Sequence, residues 1–371
     1  MITTIKIRLK PNQKQLSQFY KSCGTARWVY NWTLERQRDN YANGGKFIYD
    51  NDLRKEITQL KKQEEFRWLS DVSNNIAKQA VKDACNAYKR FFKGQSGFSS
   101  FKTKHRSKLS FFNDGHRLKS KHKKVLIEKV GWVKTSEQLP EAKYYNPRVG
   151  FDGKYWYLTV GIDIEPEQHE LTGEIVGIDL GIKDLAICSN GMVFENINKT
   201  KEVKEIEKRL RRLQRSASRK YEMNKEAGRY VKTCNIIKTE QKIQRLYRRL
   251  KNIRNNHIHQ ATSSIVRTKP CKIVMEDLDI TGMMKNRHLA KAIQKQKLYE
   301  FKRQVEYKSK RLGIEFIQVD RYFPSSKLCS NCGQVKKDLK LSCRTYHCDC
   351  GLSIDRDLNA SYNLANYGKL I

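Results

Sequence analysis

No run of apolar residues in this sequence approaches the roughly 20 that a bilayer-spanning helix takes. A soluble, non-membrane chain is therefore expected, and apolar residues make up only 38% of its 371 positions. The length still allows two or three domains with real cores. A secretory leader is also missing: Met1-Ile2-Thr3-Thr4-Ile5-Lys6-Ile7-Arg8 alternates like a strand, and a cytoplasmic setting is expected. Acidic side chains are scarce, 39 against 75 Lys and Arg, giving a formal charge of +36 and a pI near 9.8. Such a field calls for a polyanion, held through neutralised phosphates and released counterions. Histidine is thin as well, 8 in all. The close pair His257 and His259 falls on different helical faces, which makes a poor metal site.

Cysteine is present in quantity, and ten in a chain without a leader argue for metal ligands and buried thiols over disulfides. Aromatics, at 10%, offer stacking surfaces for unpaired bases among the basic residues. Ile5, Ile7 and Leu9 alternate with Lys6, Arg8 and Lys10, a half-buried strand with a basic outer face. Pro11-Asn12 ends it, and Asn12 suits the cap of a helix carrying Leu16, Phe19, Tyr20 and Cys23. Trp28, Tyr30 and Trp32 mark a second helix, and helices continue to about Phe92. Ala77, Ala80, Val81, Ala84, Tyr88, Phe91 and Phe92 form an apolar helix face; Gln79, Lys82 and Lys89 lie on its polar side, within reach of DNA. From Lys102 to Lys124 nine Lys or Arg stand against one acid, Asp114, interleaved with Phe111 and Phe112, a phosphate-tracking edge. Strands follow at 124–133 and 148–160, the latter turning at Asp152-Gly153. The polar stretch at 165–170 reads as a linker and domain boundary.

Beyond it, Ile175-Val176-Gly177-Ile178-Asp179 is built as a buried strand ending in a carboxylate. Gly181 and Ser189-Asn190-Gly191 turn the chain into two more strands, a three-stranded meander. Residues 199–254 carry twenty Lys or Arg against six acids, with apolar seams at Val203, Ile206, Leu210, Leu213 and at Ile243, Leu246, Leu250, Ile253. Two long basic helices are expected. Lys272-Ile273-Val274-Met275-Glu276 is a second buried strand with an acid at its end. A helix at 289–312 and a strand at 315–320 complete a mixed five-stranded sheet flanked by helices, the RNase H-like pattern.

Cys329-Ser330-Asn331-Cys332-Gly333 and Cys348-Asp349-Cys350-Gly351 form a pair of knuckles suited to tetrahedral Zn²⁺, with Cys343 or His347 as alternative ligands. Four protein ligands leave no open position, so the site is structural. Ser353 to Leu364 begins polar and becomes helical; Asp355 suits a helix cap while Asp357 points back at the sheet.

Carboxylates gathered in one cleft repel each other unless cations neutralise them, and hard oxygen ligands suit a pair of Mg²⁺ ions. Asp179 would bridge both, with Glu276 and Asp357 each holding one, and phosphodiester hydrolysis then needs no His or Ser nucleophile. The order Asp, Glu, Asp ranks a transposase or integrase of the same fold second among enzymes.

Taken together, Gly177-Ile178-Asp179-Leu180-Gly181, Val274-Met275-Glu276-Asp277-Leu278, the four cysteines and Asp355-Arg356-Asp357-Leu358-Asn359-Ala360 resemble the split RuvC nuclease of the TnpB proteins of bacterial insertion sequences, relatives of the type V CRISPR effectors. The opening Lys6-Ile7-Arg8-Leu9-Lys10-Pro11, Arg27-Trp28-Val29-Tyr30-Asn31-Trp32 and Phe323-Pro324-Ser325-Ser326-Lys327 are similar to that family too. The resemblance implies an α/β multidomain chain: a wedge β-barrel from residues 1–10 and 118–170, a helical recognition domain at 11–117, an RNase H-like (RuvC) nuclease domain at 171–324 and 353–371, and a zinc ribbon at 325–352. It implies a monomeric ribonucleoprotein in the prokaryotic cytoplasm, at the nucleoid, with no membrane partner. A guide RNA transcribed from the transposon end would direct it to double-stranded DNA beside a short adjacent motif, cut by one Mg²⁺-dependent site. Asp179, Glu276 and Asp357 would be catalytic and Cys329, Cys332, Cys348 and Cys350 zinc ligands. The single residue between Cys348 and Cys350, where the family often has two, departs from the pattern. A guide-carrying DNA-binding regulator that does not cut is the rival from another class.

Overall fold

The computed structural model describes residues 2–104, 107–165, 169–340 and 343–370. Residues 166–168 of the expected linker and 105 and 106 of the basic run lie outside the described residues. The chain forms two compact units, residues 1–164 and 165–371.

In the first unit, β1 (Ile2–Lys10) is followed by α1 (Gln13–Ala42), α2 (Asp50–Leu60) and α3 (Asn74–Phe92). Six strands complete it: β2 (Ser110–Phe112), β3 (Lys119–Lys121), β4 (Lys124–Ile127), β5 (Gly131–Thr135), β6 (Tyr144–Phe151) and β7 (Trp156–Asp163). They pair in the order β2-β6-β7-β1-β5-β4-β3, every ladder antiparallel. Alternation fixes which side of β1 is covered. Ile7 and Leu9 are buried, while Lys6 and Arg8 lie over the rings of Tyr157 and Tyr155 on the other face. The strand at 110–112, inside the stretch read as helical, adds to this sheet beside β6.

Asn12 caps α1 in a reciprocal capping box with Gln15. The second helix expected around Trp28 is the same helix. Gly24 lies inside it at a propensity cost of only about 1 kcal/mol, and buried Cys23, Thr25 and Val29 hold that stretch in place. The strand read at 124–133 is a hairpin, β4 and β5, turning through Lys129 and Gly131 at positive φ. Phe92, expected in the core, sits at the end of α3 and is exposed. Gln79 is not free for DNA: it donates to Asp83 (2.8 Å), which also takes a two-pronged bond from Arg148 (2.8 and 2.9 Å). Burial raises the proton affinity of Asp83, and Arg148 with Gln79 outweighs it, leaving that carboxyl below its ordinary range.

The second unit opens with the meander β8 (Thr172–Leu180), β9 (Asp184–Cys188) and β10 (Val193–Glu195). The basic helices α4 (Lys201–Met223) and α5 (Cys234–Arg267) follow, joined through a short hairpin of β11 (Lys225–Glu226) and β12 (Arg229–Tyr230). Next come β13 (Pro270–Glu276), α6 (Ile280–Met283), α7 (Ala290–Gln296), α8 (Leu298–Leu312) and β14 (Glu315–Val319). Last are the ribbon strands β15 (Thr345–His347) and β16 (Ser353–Asp355), and α9 (Arg356–Leu370). The helix expected at 289–312 is broken at Lys297, which adopts a left-handed conformation. Buried Gln296 fixes the break: its amide reaches the carbonyl of Gly181, and Asn198 donates to its oxygen.

The five-stranded sheet runs β10-β9-β8-β13-β14, with β8, β13 and β14 mutually parallel. Its two faces separate by the period of two. Val176, Ile178, Ile273 and Met275 pack under α5 and α8, while Ile175 and Val274 face α9 with Leu364 and Tyr367. Gly177 lies on the α9 side, and a Cβ there would collide with the Ser361 carbonyl oxygen and meet the Ala365 nitrogen at 2.5 Å. Both are backbone atoms of a helix and cannot step aside. Gly177→Ala therefore displaces α9 and lowers unfolding free energy by about 1–3 kcal/mol. Gly173→Ala on the same strand meets nothing within 4 Å and melts like wild type. Equal melting of both variants in a thermal scan would refute the close approach.

Candidate nuclease centre and zinc ribbon

Two carboxylates arrive at the site by strand register. Met275 pairs with Ile178 across β13 and β8, so Glu276 and Asp179 are the next residues of adjacent parallel strands. They follow Val274 and Gly177 by two, which turns both toward α9. Asp357 lies in the first turn of α9, and Asp355 caps that helix by accepting from the Asp357 and Leu358 nitrogens (2.9 and 3.2 Å). The chain thus divides its last two acids between capping and the site.

The electrostatics agree with this placement. Burial raises the proton affinity of Asp179 well above the usual range, the Glu276 and Asp357 carboxylates raise it further, and Arg356 offsets part of the rise. Glu276 is raised by burial and partly restored by a hydrogen bond from the Ser325 hydroxyl. Arg356 and Arg344 stand 3.4 and 3.9 Å from the two oxygens of Asp357. The three carboxylates are more widely spaced than the cysteines, since among the described residues only the cysteine group brings three or more ligand atoms within 4.8 Å of one another.

The cysteine group is Cys329, Cys332, Cys348 and Cys350. Cys329 Sγ lies 3.6 Å from Cys350 Sγ, and Cys332 Sγ 3.5 Å from Cys348 Sγ. Zn–S bonds of about 2.3 Å in a tetrahedron require sulfurs a little under 4 Å apart, so the set fits Zn²⁺. Cys343 and His347 stand outside it. The short second knuckle closes because Gly351, at φ +87°, returns its N–H to the Cys348 carbonyl (3.0 Å). Hydrogen bonds from the Leu352 backbone and the Asn331 side chain bring the Cys350 thiol down to about 6, while the neighbouring Cys348 thiol is pushed up to about 12. His257 is engaged elsewhere, its ring nitrogen bonded to the Glu195 carbonyl at 2.8 Å.

A set of buried amides, not singled out in the sequence, joins the two sites. Asn363 on α9 donates to the carbonyls of Ser325 and Leu328 (both 2.7 Å). Asn359, one turn earlier, donates to Leu328 O (2.7 Å) and accepts from Ser330 N (3.0 Å). The segment so clamped carries Ser325, which holds Glu276, and Cys329, which begins the ribbon. The sequence signal is an Asn pair at i and i+4 amid the apolar stripe of α9.

Known proteins resemble this chain in sequence and in fold. Residues 299–364 match the profile described as "Cas12f1-like, TNB domain", 159–287 the profile "Probable transposase" of the OrfB_IS605 type, and 1–46 its "Helix-turn-helix domain". In this chain that last stretch is a strand and one uninterrupted helix. The "Putative RNA-guided DNA endonuclease" of Streptomyces pristinaespiralis is 31% identical, covering 98% of this chain and 88% of the relative. The "Putative RNA-guided DNA endonuclease InsQ" of Escherichia coli K12 is 28% identical, over 100% and 93%. A cryo-EM structure of a Cas12f1-sgRNA-target DNA complex shares the fold at TM-score 0.60 and 13% identity, over 99% of both chains. The mini-RNA-guided endonuclease CRISPR-Cas_phi3 does so at 0.51 and 9%, over 99% and 92%.

Sheet order, strand-end acids and the four-cysteine insert define a mixed α/β, RNase H-like chain with a ribbon domain. It belongs to the TnpB family of insertion-sequence RNA-guided DNA endonucleases. No helix among the described residues is long and apolar enough to cross a membrane.

Removing the clamp should loosen the ribbon without touching a carboxylate. Asn363→Ala leaves the Ser325 carbonyl without its donor and the Leu328 carbonyl with Asn359 alone, and costs about 1–3 kcal/mol in denaturant unfolding. Asn366→Ala, which gives up one 3.5 Å bond to Ser330 O, changes stability little.

Proposed function

We propose that this protein is an RNA-guided endonuclease that cuts double-stranded DNA beside a short adjacent motif, directed by an RNA transcribed from its transposon end. The observation that carries the reading is the convergence of Asp179, Glu276 and Asp357 on the α9 face of the sheet, where their mutual repulsion calls for bound cations. Asp179, whose proton affinity both other carboxylates raise, would be the shared ligand, with Glu276 and Asp357 holding the Mg²⁺ beside it. Held there, Mg²⁺ supplies the positive charge that phosphodiester hydrolysis requires at the attacking and leaving oxygens. Ser325 fixes the rotamer of Glu276, and Arg344 and Arg356 steady Asp357. Lys and Arg elsewhere neutralise the nucleic-acid backbone. The four thiolates hold one Zn²⁺ with no open position, a structural role.

The particle is a monomeric ribonucleoprotein of the prokaryotic cytoplasm. A transposase of the same fold is disfavoured by the Asp, Glu, Asp order. A regulator that carries a guide but does not cut has no use for three facing acids.

Asp179→Ala is expected to abolish cutting of guide-matched DNA in Mg²⁺ while binding of the co-purified RNA stays near wild type. Full cutting by that variant would overturn the assignment. Metal analysis tests the ribbon: one zinc per chain, lost in Cys350→Ser with a fall in melting temperature and retained in Cys343→Ser. Zinc loss in Cys343→Ser instead would redraw the ligand set.

A further inference from the structure

Arg211, Arg215 and Arg219 recur every fourth residue along α4, so they form one row with about 6 Å of rise between neighbours. All three are exposed, and none makes a hydrogen bond or ion pair among the described residues. With Gln214 and Ser218 they make up one open face of α4. The carboxylates at either end of this stripe are already engaged. Glu207 is held by Arg254 (2.8 Å) and Lys295 (2.6 Å), and Glu222 accepts from the Tyr230 hydroxyl (2.9 Å). Beside the row, α5 presents Tyr247, 50% exposed, whose hydroxyl accepts from Gln214 Nε2 at 2.8 Å. The bond pins an aromatic ring next to the arginines.

Like charges four apart on a helix repel, at about 0.2–0.5 kcal/mol per pair. The row therefore burdens α4 until something anionic covers it. A spacing of about 6 Å is comparable to that of successive phosphates along a strand, and guanidinium groups match phosphate oxygens in pairs. A pinned, half-exposed tyrosine adds a platform for one unpaired base.

We propose that this face of α4 and α5 is a track for single-stranded RNA, with Arg211, Arg215 and Arg219 on consecutive phosphates and Tyr247 stacked on a base. RNA is favoured over DNA because the guide is present before any target is met, and the bare row needs cover throughout. The inference rests on the guide-RNA reading above.

The test uses the full chain and the RNA that co-purifies with it, with binding measured across a salt series. Every single-strand phosphate left without its cation lowers the slope of log K against log salt by about 0.7, so Arg211→Gln/Arg215→Gln/Arg219→Gln reduces it by about 2. Arg215→Gln alone reduces it by about 0.7 and serves if the triple variant folds poorly. The matching triple Lys variant keeps the slope, and Tyr247→Phe holds affinity where Tyr247→Ala loses it. An unchanged slope in the Gln variants overturns the track, and so does a change seen only with matched DNA. Absence of any co-purifying RNA overturns the guide reading itself, a separate result.

Discussion

The distance between α9 and β8 is set by the missing side chain of Gly177. The Ser361 carbonyl and Ala365 nitrogen occupy the space a Cβ would need, and Gly368 does the same for Val274 and Ile175 from the helix side. Two glycines, one on each partner, let a helix backbone lie directly on a strand. The functional arrangement follows from that close approach. α9 carries Asp357 in its first turn, so seating the helix on β8 and β13 delivers the third carboxylate to the ends of the strands that carry Asp179 and Glu276. The same helix brings Asn359 and Asn363 against the segment leading into the ribbon. A bulkier residue at 177 would move all of these together.

Charge is distributed with similar economy. In a chain of formal charge +36, cations are abundant, yet the site acids are not simply paired off. Asp277 makes the contrast. It follows Glu276 directly, and it is taken by Arg321 at 2.8 Å and Lys302 at 3.6 Å, with its carboxyl held below the ordinary range. Among the described residues Glu276 receives a serine hydroxyl and no guanidinium or ammonium, and it is shifted the other way. One acid is a surface ion-pair member, and its neighbour stays available. Where arginines do approach the site, at Asp357, the separations are 3.4 and 3.9 Å rather than close two-pronged bonds such as Arg148 makes with Asp83.

Much of this was legible from residue order because strands and knuckles report local rules. Ile175 to Asp179 and Lys272 to Glu276 read as buried strands, and a mixed five-stranded sheet followed from counting elements; the four cysteines announced themselves by spacing. What escaped depended on partners remote in sequence. The second helix expected around Trp28 is a continuation of α1, since buried neighbours on both sides of Gly24 outweigh its low helix propensity. The left-handed turn at Lys297 hangs on Gln296 reaching Gly181, more than a hundred residues away. Ser325 was visible only as part of a motif, and its bond to Glu276 is a tertiary fact. Phe92 fitted the apolar period of α3 yet lies exposed at its end, a case where periodicity runs past the packing partner.

The clamp gives the ribbon a reason to sit inside the nuclease fold. Four thiols on one short insert can satisfy a zinc ion wherever the insert hangs, so zinc chemistry alone does not require proximity to the acids. That proximity comes from Leu328 and Ser330, which flank Cys329 and bond to Asn359 and Asn363, and from Ser325, three residues earlier on the same clamped segment. Amides buried to this degree are worth keeping only if every donor and acceptor is met, because a half-satisfied network costs more than apolar packing. Asn363 is 2% exposed and Asn359 fully covered, and both are satisfied. The ordering of the first cysteine knuckle and the rotamer of Glu276 are therefore not independent: whatever loosens one end of the segment from 325 to 330 frees the hydroxyl that holds the acid at the other.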